Sequence, residues 1–371
     1  MSLNQSVRFV PKEKSAFFSV LRKRVDQYFI DNNISKHANR EMVIKTISLL
    51  ALYIVPFVCF NIFEPARPIG FLLWGVMGIA AAGIGMSIMH DAQHGAYSSK
   101  KWINEWVGHS INMVGGSGFN WVLQHNVLHH TYTNIAGIDE DIQDRIVLRF
   151  SPHTKVKWYH RFQVFYAAFL YSMLSLYWVT LKDFEQFRRY IVLKVNKNTW
   201  QQNVPVFIKI VLFKVAYYFV FFGIPMLFFN IPFSYVLIGF LIMHAVAGII
   251  LTVIFQMAHT VEGTSYPLPN SSGNIENDWA MHQLATTVNF SPANRWLSWY
   301  VGGLNFQVEH HLFTRICHVH YPAIAPIVKE TCAEFGVPYL ENRTFAQAFG
   351  AHITALQKFG GLHHTLVDAL G

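Results

Sequence analysis

The sequence predicts an all-α integral membrane protein, with four transmembrane helices in two hairpins and a cytoplasmic helical cap of polar, histidine-bearing segments. Three observations carry that expectation. The chain is poor in solvating groups: 52% of its 371 residues are hydrophobic, 16% aromatic and only 13% charged, whereas soluble domains average about a quarter charged. The deficit is concentrated in four apolar blocks, each near the roughly 20 residues that a helix needs to cross a bilayer. Lysine and arginine, finally, fall almost entirely on one side of those blocks.

The first span is expected over residues 43–63 and the second over 69–89, separated only by the turn-like "EPARP" with its two prolines. The third is expected over 206–229 and the fourth over 232–257, with "NIP" between them. Each pair reads as a tight hairpin, and helices are the default because a backbone in lipid must satisfy its own hydrogen bonds. Lys209 can snorkel from near an end of the third span. Lys214 is a turn deeper, so it either faces protein or marks a later span start. A fifth block, Phe165 to Leu181, is 17 residues long and rich in polar and interfacial aromatic residues; it reads as a marginal span or an interfacial segment.

Four spans leave three polar regions on one face: residues 1–42, 90–205 and 258–371, holding 8, 12 and 5 Lys or Arg. The positive-inside rule assigns all three to the cytoplasm. Along the chain this divides an N-terminal segment (1–42), a membrane domain (43–335) and a helical tail (336–371). The formal charge of +8 fits contact with anionic lipid or an acidic ligand. No basic–aromatic motif appears, so no nucleic-acid partner is expected. Cys59, Cys317 and Cys332 lack metal-ligand spacing, and no apolar signal core opens the chain.

Histidine supplies the chemistry. In "HDAQH", His90 and His94 are four apart, which puts both on one helix face. In "HNVLHH", His125 and His129 repeat that spacing and His130 follows. "QVEHH" adds His310 and His311, and His259 ends the fourth span at the same membrane level as His90. A lone buried histidine is usually a hydrogen-bonded core residue. Three clusters on one face are poorly explained that way. Imidazole ligates iron, copper, nickel and zinc, eight exceed one tetrahedral zinc site, and two metals are the natural count. Asp91, Asp139 and Asp141 flank the clusters and can orient imidazoles through their second nitrogen; Glu140 reads equally as a solvated rim. His282 is an intermediate case. His318 and His320 belong to a rim, and His109, His244, His352, His363 and His364 lack partners at ligand spacing.

The three clusters resemble the histidine boxes of the membrane fatty acid desaturases, in order, spacing and placement around two hairpins, from about residue 40 to 335. That resemblance implies a histidine-ligated di-iron centre (Fe2+/Fe3+) that uses dioxygen and two electrons to remove two hydrogens from an acyl chain. It makes His90, His94, His125, His129, His130, His259, His310 and His311 the expected iron ligands, with Gln307 a further ligand or orienting residue beside Asp91, Asp139 and Asp141. Gln307 stands where stearoyl-type desaturases begin the third box with histidine. In this the chain is similar to the front-end desaturases, as is "WAMHQLATTVNF", with Trp279, Gln283, Thr286 and Asn289. No H-P-G-G haem motif occurs and residues 1–42 are too short for a cytochrome b5 domain, so a separate ferredoxin or cytochrome b5 is the implied electron donor. The expected membrane is the bacterial inner membrane, or the endoplasmic reticulum in a eukaryote. Because all ligands must share one compartment, the fifth block is expected at the interface.

The implied substrate is an already unsaturated acyl-CoA or acyl-lipid, desaturated on the carboxyl side of an existing double bond. A hydroxylase on the same scaffold is the alternative; a non-catalytic metal or lipid-binding protein and a zinc transporter fit less well. Phe119, Trp121 and Phe306 are expected to line an acyl tunnel, although aromatics near such clusters are commonly plain core. Lys155, Lys157, Arg161, Arg188 and Arg189 can hold a CoA phosphate or rest on the lipid surface.

Overall fold

A computed structural model describes residues 7–11, 15–142 and 147–361; His363 and His364 lie outside them. The described residues are mostly helical. Among the described residues, four helices are long and apolar enough to cross a membrane: Arg40–Phe63, Arg67–Gln93, Trp200–Phe228 and Phe233–His259. They match the expected spans, with most termini extended by a few residues. Asn39 caps the first by accepting from Met42 N–H at 3.1 Å. "EPARP" turns the chain with Glu64 left-handed, at φ 40°, and a proline in the first turn of the second span. Thr199 and Gln202 form a reciprocal capping box at the start of the third.

The chain gathers into two compact units, each built from separated stretches: residues 38–123 with 169–252, and residues 7–37, 124–168 and 253–361. The first, the membrane unit, contains three whole spans and most of the fourth. The second and fourth spans approach closely through glycine. A Cβ at Gly78 would meet the Met243 carbonyl at 2.5 Å, and one at Gly239 would overlap the Trp74 indole. Lys214 faces protein: its ammonium sits 2.7 Å from Asp183 and donates to the Gly115 carbonyl at 2.6 Å and the Trp178 carbonyl at 2.8 Å. Three acceptors use all three of its protons, which is how an interior lysine is tolerated. Lys209 is exposed. The fifth block does not form one straight helix, since the chain bends by 51° between Ser172 and Leu174.

In the second, polar unit the helix Phe17–Asp31 buries Phe17, Leu21, Val25 and Phe29, one residue per turn, against Ile324, Val328 and Cys332 of the helix Tyr321–Glu334. Arg24 clasps Glu334 with two bonds, 2.9 and 2.7 Å, at that seam. Among the described residues, strand pairing in this unit consists of two parallel two-residue ladders, Arg8–Phe9 with Asn274–Ile275 and Asn289–Phe290 with Glu341–Asn342. Cys59, Cys317 and Cys332 are free thiols.

Candidate metal centre

The second histidine cluster lies on a π-helical stretch, Val122–His129, continued by His130–Tyr132; wide turns of this kind recur at functional sites. The third lies on the short helix Gln307–Leu312, all six residues of which are buried. Asn289 anchors that helix, accepting from Val308 N–H at 2.8 Å and donating to Glu309 at 2.7 Å. Tyr339 donates to the other Glu309 oxygen at 2.9 Å. Burial, against these two bonds, raises the Glu309 carboxyl to about 7. His259 comes from the end of the fourth span.

Within the polar unit these elements bring His129, His259 and His311 together, with one ligand atom of each within 4.8 Å of the others. His130, His310 and His311 form a second such group, and His125, His129 and Asp141 a third. All six imidazoles are buried.

The hydrogen bonds show which nitrogen of each ring is available. His129 Nδ1–H donates to Asp139 at 2.9 Å. His259 Nδ1–H donates to the Thr286 carbonyl at 3.3 Å, and His311 Nδ1–H to the Gln283 side-chain oxygen at 2.8 Å. Each bond puts the proton on Nδ1, leaving Nε2 with a lone pair, and none of the three Nε2 atoms has a hydrogen-bond partner among the described residues. Three buried lone pairs turned towards one another repel; a cation between them resolves the conflict. This is the oriented-imidazole arrangement of metal sites, and the residues fit a metal.

The surrounding carboxylates favour positive charge at this site, whether a proton or a metal carries it. Burial alone would lower His129, but Asp139, in contact, and Asp141, 3.6 Å away, outweigh it and hold its pKa above the usual value. Burial first, and then the neighbouring histidines, push His311 well below its ordinary pKa, so it stays neutral. Asp139 also accepts from Asn134 N–H at 2.9 Å and Asp141 N–H at 3.0 Å, which fixes its carboxylate. Asp141 lies 3.5 Å from His125 Nδ1 and accepts from Gln124. The Gln307 amide oxygen is buried with no hydrogen-bond partner among the described residues.

In the membrane unit, His90 and His94 stand at the end of the second span with ring centroids 4.7 Å apart. Trp121 packs edge-on against both, at 5.6 and 5.5 Å. Asp91 lies 4.0 Å from His90 Nδ1. Phe119 lines a cavity in the same unit. Phe306 is buried in the apolar core of the polar unit. His282 joins none of the metal-ligand groups; it packs on Phe9 at 5.0 Å, and burial lowers its pKa to about 4. His244 is held by Ser175 at 3.0 Å and Tyr217 at 3.1 Å, and His352 by the Thr260 carbonyl at 2.7 Å.

Sequence reasoning named Gln283 only as part of a pattern. The structure gives it a specific place: its oxygen accepts from His311 while its amide donates to the His130 carbonyl at 3.2 Å, so one side chain spans two clusters. Thr133, one turn after His129, lies 2.9 Å from the same oxygen. The four-residue spacing of Thr133 from His129 was the available signal.

Fold and site together define a membrane protein with buried histidine clusters fit to hold metal. The match to the fatty acid desaturase family runs over residues 65–343. The chain is 37% identical over 351 residues to an sn-1 linoleoyl-lipid 6-desaturase of Arthrospira platensis, covering 92% of each chain. It is 38% identical over 357 residues to the protein of the same name from Synechocystis sp., covering 94% of this chain and 96% of that one. An acyl-lipid (8-3)-desaturase of Physcomitrium patens is 35% identical over 361 residues, 96% of this chain and 74% of the relative. The chain belongs to the fatty acid desaturase family, and it is an oxidoreductase that introduces double bonds into fatty acyl chains.

Proposed function

We propose that this enzyme is a front-end desaturase that inserts a double bond on the carboxyl side of an existing one in an acyl chain carried on a membrane lipid. The observation that carries this reading is the likeness, over nearly the whole chain, to relatives whose names specify linoleoyl-lipid 6-desaturation. Gln307 at the head of the third cluster supports it, as does Gln283, the amide bridge to His311 and His130.

The cofactor in this reading is a pair of iron ions, which His90, His94, His125, His129, His130, His259, His310 and His311 would hold. Bound there, such irons would supply dioxygen activation and, given two electrons from a separate ferredoxin or cytochrome b5, the oxidising power to remove two hydrogens. The protein does the rest. Asp139, Gln283 and the Thr286 carbonyl hold three imidazoles with Nε2 forward, so the ligand set is preorganised. Burial keeps His311 neutral and excludes water from the oxidant. Gln307 offers an amide oxygen to the site, and Asp91 and Asp141 steady His90 and His125. Phe119 and Trp121 would line the path of the acyl chain.

The functional division retained is the N-terminal segment 1–42, the desaturase domain 43–335 and the tail 336–371. The active site faces the cytoplasm, following the lysine and arginine asymmetry, and the bent fifth block rests at that interface. Hydroxylation is not favoured, because the relatives are desaturases.

The test is a fatty acid profile, with double-bond positions, of cells fed linoleate and expressing wild type or His311→Ala. A new double bond on the carboxyl side, borne by lipid and absent in the variant, is expected. A hydroxylated acid, or a new bond on the methyl side, would overturn the reading.

A further inference from the structure

The membrane unit contains an open cavity of about 470 Å3 that no step above uses fully, within the roughly 300–1,000 Å3 of small-molecule sites. One wall is Phe119, Val122 and Leu123; the other is Ile210 and Phe213 of the third span. Its inner end is closed by the Lys214–Asp183 pair, and its mouth is rimmed by Lys209, His109 and Glu105.

Two features say what enters. The first is where the mouth opens. Phe213 is 42% exposed, and its neighbours on the span, Ile208 and Leu212, are 49% and 61% exposed, as expected of side chains facing hydrocarbon. At about 1.5 Å per residue the 29-residue third span is about 44 Å long, some 14 Å more than a roughly 30 Å hydrocarbon core. With the apolar end at Phe228 set at the far boundary, nine residues from Trp200 take up that excess and bring Lys209 to the near boundary. The helix Lys101–Gly108 carries exposed Trp102 and Trp106 one turn apart, the side chains that settle at headgroup level.

The second is charge. Lys214 is neutralised within the protein, and Glu105 is turned to Lys101 at 3.6 Å. Lys209 has neither an ion pair nor a hydrogen bond among the described residues, and it stands over an apolar slot. A cation at the boundary above an apolar slot matches a phosphate joined to an acyl chain.

We propose that this cavity is a lateral binding site for a membrane phospholipid, with the phosphate at Lys209 and one acyl chain between the two walls. The inference deepens the acyl-lipid reading and rests on it for purpose. An acyl-CoA carries the same phosphate and acyl chemistry, but it arrives from water, and this mouth opens among bilayer-facing side chains.

The test is photolabelling of the purified full chain in detergent with a phosphatidylglycerol whose sn-1 chain bears a diazirine near the ester, adducts being mapped by peptide mass spectrometry. Adducts on Phe119–Leu123 or Ile210 are expected, lost on competition with plain phosphatidylglycerol and reduced about fivefold in Lys209→Gln, the equivalent of about 1 kcal/mol for one boundary cation. Ile210→Trp, which fills the slot, is expected to reduce them while labelling of outward Ile47 and Leu72 persists. Adducts confined to such outward residues, cavity adducts indifferent to Lys209→Gln, or stronger competition by acyl-CoA than by phosphatidylglycerol would each overturn the proposal. The readout needs no turnover. Correct labelling without a new double bond would count against the function, and a new double bond without cavity labelling against the site.

Discussion

Imidazole can donate through one nitrogen and ligate through the other, and at His129, His259 and His311 the protein has made that choice in advance. Asp139 is the most committed of the orienting groups, because its two oxygens accept three bonds, from His129, Asn134 and Asp141. Asp139→Ala frees His129 to rotate or to change tautomer. The expected result is an iron content per chain reduced about 10- to 100-fold at limiting iron, the usual cost of losing such a partner, with membrane insertion unchanged. Metal analysis of the purified variant checks this, and undiminished iron would remove Asp139 from the orienting role.

At the scale of an element, the third span is the unusual one because it carries Lys214 into the protein interior. The ammonium ties the span to the Gly115 loop and to the helical stretch from Trp178 to Asp183 at once. Removing one partner of a buried pair leaves the other charge uncompensated, at about 3–5 kcal/mol. Lys214→Met is therefore expected to lower the unfolding midpoint in detergent sharply. Lys214→Met with Asp183→Leu is expected to recover most of that loss, since no charge is then left unpaired. A double variant no better than the single one would show that the backbone bonds, rather than the ion pair, carry the effect.

Two expectations belong to the whole molecule. Four crossings return the chain to one side, so Lys100→Cys and Asn270→Cys, both at exposed positions, are expected to react with a membrane-impermeant thiol reagent only once the cytoplasmic face is opened. Reaction from opposite faces would sink the four-span topology and with it a shared metal centre. The metal itself should hold the polar unit together, because a ligand that binds only the folded state stabilises it by mass action. Chelation of the purified enzyme is expected to lower its thermal midpoint and ferrous iron to restore it, with little shift in His311→Ala, which lacks a ligand common to two of the clusters. A midpoint indifferent to chelation would mean that the lone pairs are accommodated without metal.

What the sequence determined by itself was local and periodic. Span lengths, the capping of Arg40–Phe63 by Asn39, the proline turn at "EPARP" and the four-residue spacing of His90 with His94 and His125 with His129 each depend on residues within a turn or two. The identity of the boxes was readable for the same reason. Whether Lys214 faced protein or marked a later start could not be read locally, because its partner Asp183 is 31 residues away. The tertiary structure decided which acceptor serves which imidazole. Asp139, and not the adjacent Glu140, takes His129; Gln283 reaches both His311 and His130; and Asn289 and Tyr339 hold Glu309 within the third cluster. Those pairings join residues up to 153 positions apart, and a hydrogen bond reaches only about 3 Å. Spacing in sequence can nominate a ligand, but only the folded chain can aim it.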